Sequence, residues 1–67
     1  MRLINSDGEL TVAVTVDELR LLASSIGEAL EAVDDWEFST RLGFESSAAR
    51  TLRSEINEAL AQATEAK

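Results

Sequence analysis

The sequence predicts an α+β domain: an N-terminal β-hairpin followed by three helices, two long and one short, the last two in a helix-turn-helix-like arrangement. Three observations predict it. Asp7-Gly8 separates two runs of alternating apolar residues near the start of the chain. Apolar residues then recur at helical spacing in two long stretches. Gly43 divides the second half into a short helical segment and a long one. With 67 residues, the chain forms one small domain, 1–67.

The hairpin covers 1–15. Asp and Gly both tolerate the positive φ that a two-residue type I′ turn requires twice, so the turn centres on Asp7-Gly8. That centring pairs Ser6 with Glu9, Leu3 with Val12 and Met1 with Val14. It places Met1, Leu3, Leu10, Val12 and Val14 on one face. A two-stranded ribbon is barely stable alone, so a helix is expected to cover this face, while the ribbon edges invite pairing with another chain.

Helix one covers 16–33. Thr15-Val16-Asp17-Glu18 fits a capping box, in which the Thr15 hydroxyl accepts an amide three residues on and Glu18 reaches back. Leu19, Leu22, Ala23, Ile26, Ala29, Leu30 and Val33 form its apolar stripe, and Leu21 falls off that stripe into solvent. Gly27 costs about 1 kcal/mol relative to Ala inside a helix, and a neighbour's close approach would account for it.

Helix two is short, 35–42. Asp34 and Glu37 repeat the cap pattern, and Trp36, Phe38 and Leu42 supply its bulk. Gly43 suits the left-handed residue that ends a helix, with Phe44 packing back toward Phe38. Ser46 caps helix three, 47–63, whose stripe is Ala49, Leu52, Ile56, Ala59, Leu60 and Ala63. Residues 64–67 are expected to fray. The two long helices should pack on each other and on the ribbon.

The side-chain inventory argues against an enzyme. There is no histidine and no cysteine, and the only lysine is Lys67. The serines and threonines therefore lack the usual base that makes a hydroxyl nucleophilic, and no spacing marks a catalytic pair of carboxylates. Disulfides and thiolate- or imidazole-bound zinc are excluded. Asp34, Asp35 and Glu37 form the densest acidic knot, but helix capping explains them and the spacing is not that of an EF-hand. No catalytic residue, cofactor or metal is expected.

A chain this short buries only about 60% of its unfolded surface. With cross-links and those metals excluded, self-association as a homodimer or other homo-oligomer remains to supply stability. No apolar run approaches the length of a membrane span, and polar residues follow Ile4 where a secretory apolar segment would continue. A cytoplasmic protein is expected.

Charge is unevenly distributed along the chain. Residues 1–37 hold nine acids against Arg2 and Arg20, while 38–54 hold Arg41, Arg50 and Arg53 against Glu45, within an overall net charge of −7. Glu28, Glu31, Asp34, Asp35 and Glu37 cluster late in helix one and after it, and are the candidate residues for meeting a basic protein partner. Bacterial antitoxins and immunity proteins are small, acidic and catalytically inert in the same way, an analogy of size and charge.

The competing expectation rests on residues 36–54. A short helix, Leu42-Gly43-Phe44 and a second helix resemble a helix-turn-helix. Ser47, Arg50, Thr51 and Ser54 would share one face, where a recognition helix reads base edges. Three arginines are few for phosphate binding, and Glu45 has the wrong sign. Arg53 flanks the apolar stripe and is expected to pair with an acid of helix one or two. The leading expectation is thus a non-enzymatic, acidic protein-interaction module; a small DNA-binding regulator is the alternative.

Overall fold

In a computed structural model, which describes residues 1–65, a two-stranded antiparallel hairpin is followed by three helices: β1 (Arg2–Asn5), β2 (Thr11–Ala13), α1 (Val16–Ala32), α2 (Asp35–Leu42) and α3 (Ser46–Glu65). The predicted fold class is the observed one. Helix α3 is longer than expected at its far end. The Thr64 hydroxyl donates to the carbonyls of Leu60 at 3.1 Å and Ala61 at 3.0 Å, so the helix runs through Thr64 instead of fraying there. The expectation for 66–67 lies outside the described residues.

The hairpin keeps the Leu3–Val12 pair but not the predicted turn. Arg2 pairs with Ala13, Leu3 with Val12 and Asn5 with Thr11, and a register shift falls between Leu3 and Asn5. One extra residue is therefore absorbed in β1, as in a β-bulge. The loop between Asn5 and Thr11 replaces the Ser6–Glu9 pair. Asn5 Oδ1 accepts the Asp7 amide at 2.9 Å, and the Asp7 carbonyl accepts the Glu9 amide at 3.1 Å. Only Gly8 takes a positive φ, 84°, so the turn cannot be type I′, which needs two such residues. The local Asx-type bond favours a different backbone path from the one the Asp-Gly pair suggests.

Helix α1 starts as its sequence implies. Thr15 Oγ1 accepts the Glu18 amide at 3.1 Å and Glu18 Oε1 accepts the Thr15 amide at 2.8 Å, completing the capping box. The other Glu18 oxygen pairs with the amino terminus of Met1, tying the start of β1 to the first turn of α1. At Asp34 no side-chain cap forms, and the first turn is closed by the Glu37 amide donating to the Asp34 carbonyl at 2.9 Å. Gly43 does take the left-handed conformation, φ 82°, and its amide donates to the Ser39 carbonyl at 2.8 Å. Ser46 is the first residue of α3 and not its cap. Its hydroxyl is directed to Arg50 instead.

Helices α1 and α3 form the main packing interface, and α2 closes against α3. Gly27 faces α3: a Cβ there would lie 3.3 Å from Arg53 Nη1, the far end of a long side chain. Among the described residues Arg53 makes no ion pair, contrary to expectation. The side-chain-free surface of Gly27 gives its guanidinium a place to lie, and packing replaces the salt bridge. Only the tip of a flexible side chain would have to yield to a new methyl. Gly27→Ala is therefore expected to raise stability by about 0.5–1 kcal/mol through helix propensity. Urea denaturation checks it, and a loss of stability would show that Arg53 is fixed in place.

The core is small. Phe38, 2% exposed, is the only fully buried apolar side chain among the described residues. Trp36, expected to share that role, is 77% exposed. Two residues apart on a helix is about 200° of rotation, so the two rings face opposite ways, and Leu42, one turn after Phe38, lies on the Phe38 side. The expected packing of Phe44 onto Phe38 also leaves Phe44 71% exposed. Leu21 is exposed, as predicted from its place off the stripe.

One further departure bears on function. Among the described residues most of the hairpin's apolar face stays open, with Leu3, Leu10 and Val12 exposed and only Val14 half-buried, so that face is not covered as expected. The ribbon is tethered through Glu18 and the short link to Thr15, and it is partly covered only at its base, where Ala13 and Val14 are half-buried. Within a single chain the ribbon and the helices therefore do not form the two facing layers of a domain core.

Candidate interaction surface

Two apolar surfaces remain open. The first is a groove of about 360 Å³ between α1, α2 and the first half of α3. Leu22 and Ile26 form one wall, Phe38 and Leu42 the α2 side, and Phe44 and Leu52 the rim toward solvent. The walls follow from sequence spacing: Leu22, Ile26 and Ala29 fall on one side of α1, and Ala48, Ala49 and Leu52 on one side of α3. The left-handed turn at Gly43 places Phe44 at the groove mouth, in the same lining as Phe38 but largely open to solvent. The second surface is the ribbon, where Leu3 and Val12, opposite each other, are 57% and 43% exposed.

The candidate partner-facing acids lie elsewhere. At 100° per residue Glu28 and Glu31 fall on the side of α1 away from Leu22, Ile26 and Ala29, and both are exposed. Asp34 follows at the end of the helix, also exposed. The other two acids of the group are engaged within the chain. Arg50 Nη2 donates to Asp35 Oδ1 at 3.0 Å, and Arg41 Nε lies 3.4 Å from Glu37 Oε2. Among the described residues no three acids converge in the way a metal ion would need.

The face proposed for DNA is divided by the fold. Ser47 and Thr51 line a shallow trough with Ser39, Glu45 and Glu55, so two carboxylates lie beside the hydroxyls. Arg50, the residue expected to read a base, spans instead to Asp35 and to the Ser46 hydroxyl, which accepts at 3.2 Å. Ser46 is buried and Arg50 satisfies it, so the one buried hydroxyl of the segment serves packing. Ser54 is exposed and lies outside the trough lining.

Two carboxyls are held below their ordinary values, both by cations they touch. Glu18 is lowered by the hydrogen bond from the amino terminus, then by that from the Thr15 amide. Asp35 is lowered by the hydrogen bond from Arg50, then by that from Ser46. A carboxyl depressed in the folded state stabilises the fold at pH above its unfolded value and loses that contribution as pH falls through the folded value. Stability is therefore expected to decline as pH drops below the usual carboxyl values of 4.5 for Glu18 and 3.8 for Asp35. Asp35→Asn should make that acid limb shallower, as followed by urea denaturation across the pH range. An unchanged limb would mean the Arg50 contact is absent in solution.

The acids stand out in the sequence, whereas the groove does not. Its signal was present in Phe44, a large apolar residue placed after a left-handed glycine and before a new helix, where the chain turns at the surface. No helix among the described residues is long and apolar enough to cross a membrane. Comparison with known protein families, with curated proteins and with solved structures finds no match, so the groove, the ribbon and the acidic side of α1 carry the functional reading.

Proposed function

We propose that this chain is a non-enzymatic, cytoplasmic protein-interaction module that self-associates through its apolar surfaces and presents Glu28, Glu31 and Asp34, flanked by Asp35 and Glu37, to a basic protein partner. In size, charge and lack of catalytic groups it is comparable to antitoxin or immunity proteins. One observation carries the reading: the chain leaves more surface open than a folded monomer of its mass. It exposes 5312 Å², against about 4,200 Å² expected for a folded monomer of 7.3 kDa. Its radius of gyration is 13.5 Å, against about 11 Å for a domain of this length. Much of the open surface is apolar, on the groove rim and the ribbon.

Sedimentation equilibrium tests the self-association. A dimer is expected at about 100 µM, where even a micromolar affinity is saturating. A strict monomer at that concentration would remove the basis of the proposal. The acidic face is tested separately by titration with polylysine. Binding that weakens with salt and weakens further in a Glu28→Gln, Glu31→Gln, Asp34→Asn protein is expected, and unaltered binding in the variant would show that those acids do not form the surface.

The DNA reading is weakened by Arg50, whose guanidinium is already occupied by Asp35, and by Glu45 and Glu55 beside Ser47 and Thr51. DNA binding at about 50 mM salt that is lost by about 200 mM would restore it.

A further inference from the structure

Resting on the self-association reading, we infer that the α1–α2–α3 groove is the seat of a second copy of this chain, filled by the Leu3–Val12 face of that copy's hairpin, and that the contact is made twice about a two-fold axis. The two surfaces are complementary in kind: the groove is concave and apolar, and the ribbon is a narrow projection with an apolar face. They are not used on each other within one chain. The ribbon enters the N-terminal end of α1, whereas the groove lies along Leu22 to Ala29 and the first half of α3, and among the described residues most of the ribbon's apolar face stays open. Ribbon and groove are separate places on one chain, so a contact between one copy's ribbon and the other's groove can be repeated in reverse about a two-fold axis, as closed dimers require.

Area and charge agree with this occupant. The chain as a whole exposes about 1,100 Å² more than a typical monomer of its mass, a surplus larger than the ~800 Å² each partner contributes to a standard stable interface, and the groove rim and ribbon are apolar parts of that open surface. Of the chain's net charge of −7, the ribbon carries only −1, from Arg2 against Asp7 and Glu9. Docking by the ribbon therefore brings less like charge together than apposing the helical surfaces of two copies would. The contact also leaves Glu28 and Glu31 free, since they face away from the groove wall of α1.

The absence of native cysteine makes introduced thiols specific reporters. The test mixes two single variants, Val12→Cys and Leu52→Cys, in equal amounts and oxidises them. Mass spectrometry then identifies which disulfide dimers form. The mixed Val12→Cys/Leu52→Cys dimer should clearly exceed the share of about one half that random pairing of an equal mixture gives, and a statistical share would overturn the inference. Predominance of the Leu52→Cys homodimer would mean that grooves face grooves, and predominance of the Val12→Cys homodimer that ribbons pair edge to edge. Either would overturn the inference while leaving self-association standing. A wild-type monomer would overturn both.

A second measurement guards against a variant that merely unfolds. Leu52 is half exposed in the single chain, so Leu52→Asp should retain the helical circular dichroism of the monomer. It should weaken dimerisation about a hundredfold, because the charge would be buried only in the dimer. A Leu52→Asp protein that dimerises like the wild type would also overturn the inference.

Discussion

A Phe38→Ala protein is expected to lose about 3–5 kcal/mol of stability, the usual range for removing a buried aromatic ring. At roughly 0.05–0.15 kcal/mol per residue, a chain of this length has only about 3–10 kcal/mol in total, so the variant should be largely unfolded at low concentration. Among the described residues Phe38 is the only apolar side chain fully withdrawn from water, and its ring forms part of the groove wall between α1, α2 and α3. Its loss opens a cavity that the groove extends instead of one that neighbouring side chains can close. Trp36→Ala is the control. That ring is larger but faces solvent, and its removal should change stability within about 0.5 kcal/mol, as for other surface positions. Urea denaturation of the two variants checks the contrast. Equal losses would mean that Trp36 is covered in solution, most simply by a partner.

The second large effect is a dependence of thermal stability on protein concentration. A folded state that exists as a dimer is stabilised by mass action, by about 2.7 kcal/mol at a hundred times the dissociation constant. For a domain of this size about 1 kcal/mol shifts the midpoint by roughly 4–8 °C, so the midpoint should rise by about 10 °C or more across a hundredfold range of concentration. Differential scanning calorimetry at the two ends of that range measures it. Leu52→Asp and Phe44→Ala should flatten the dependence, since both residues lie at the groove rim and cost little in the isolated chain. A wild-type midpoint that does not move with concentration would contradict self-association, however the interface is arranged.

Local chemistry was largely legible in the sequence. The Thr15–Glu18 capping box, the left-handed Gly43, the apolar stripe of α1 and the Leu3–Val12 pairing all appear where spacing and side-chain type place them. Each depends on residues adjacent along the chain or on a periodicity that backbone geometry imposes. The expectations that failed near the hairpin and Asp34 failed for a local reason too. The Asn5 side chain accepts the Asp7 amide and the Glu9 amide turns to the Asp7 carbonyl instead of pairing with Ser6, so no type I′ turn forms, and the Asp34 carboxylate was left without the capping bond that its position suggested. Short polar side chains offer the backbone several bonds of similar energy, and pattern alone does not rank them.

Long-range pairing was a different matter. Periodicity shows that Phe38 and Trp36 face opposite sides of α2, but which side meets α1 and α3 depends on how the helices cross. Arg50 was free to read a base or to pair with an acid, and the approach of α2 to α3 set Asp35 within 3.0 Å of it. Arg53 met Gly27 instead of a carboxylate because the packing of α3 on α1 points its guanidinium at a position that has no side chain. The sequence by itself determined the order and type of the elements, the capping box of α1 and the left-handed end of α2, the acidic character of α1 and the lack of imidazole and thiol chemistry. The tertiary structure alone decided that most of the ribbon's apolar face stays open, that Phe44 lines an open groove, and that Arg50 is bound to Asp35. Hydrogen bonds within a turn act between near neighbours in the chain, whereas burial depends on which surfaces are brought together in space.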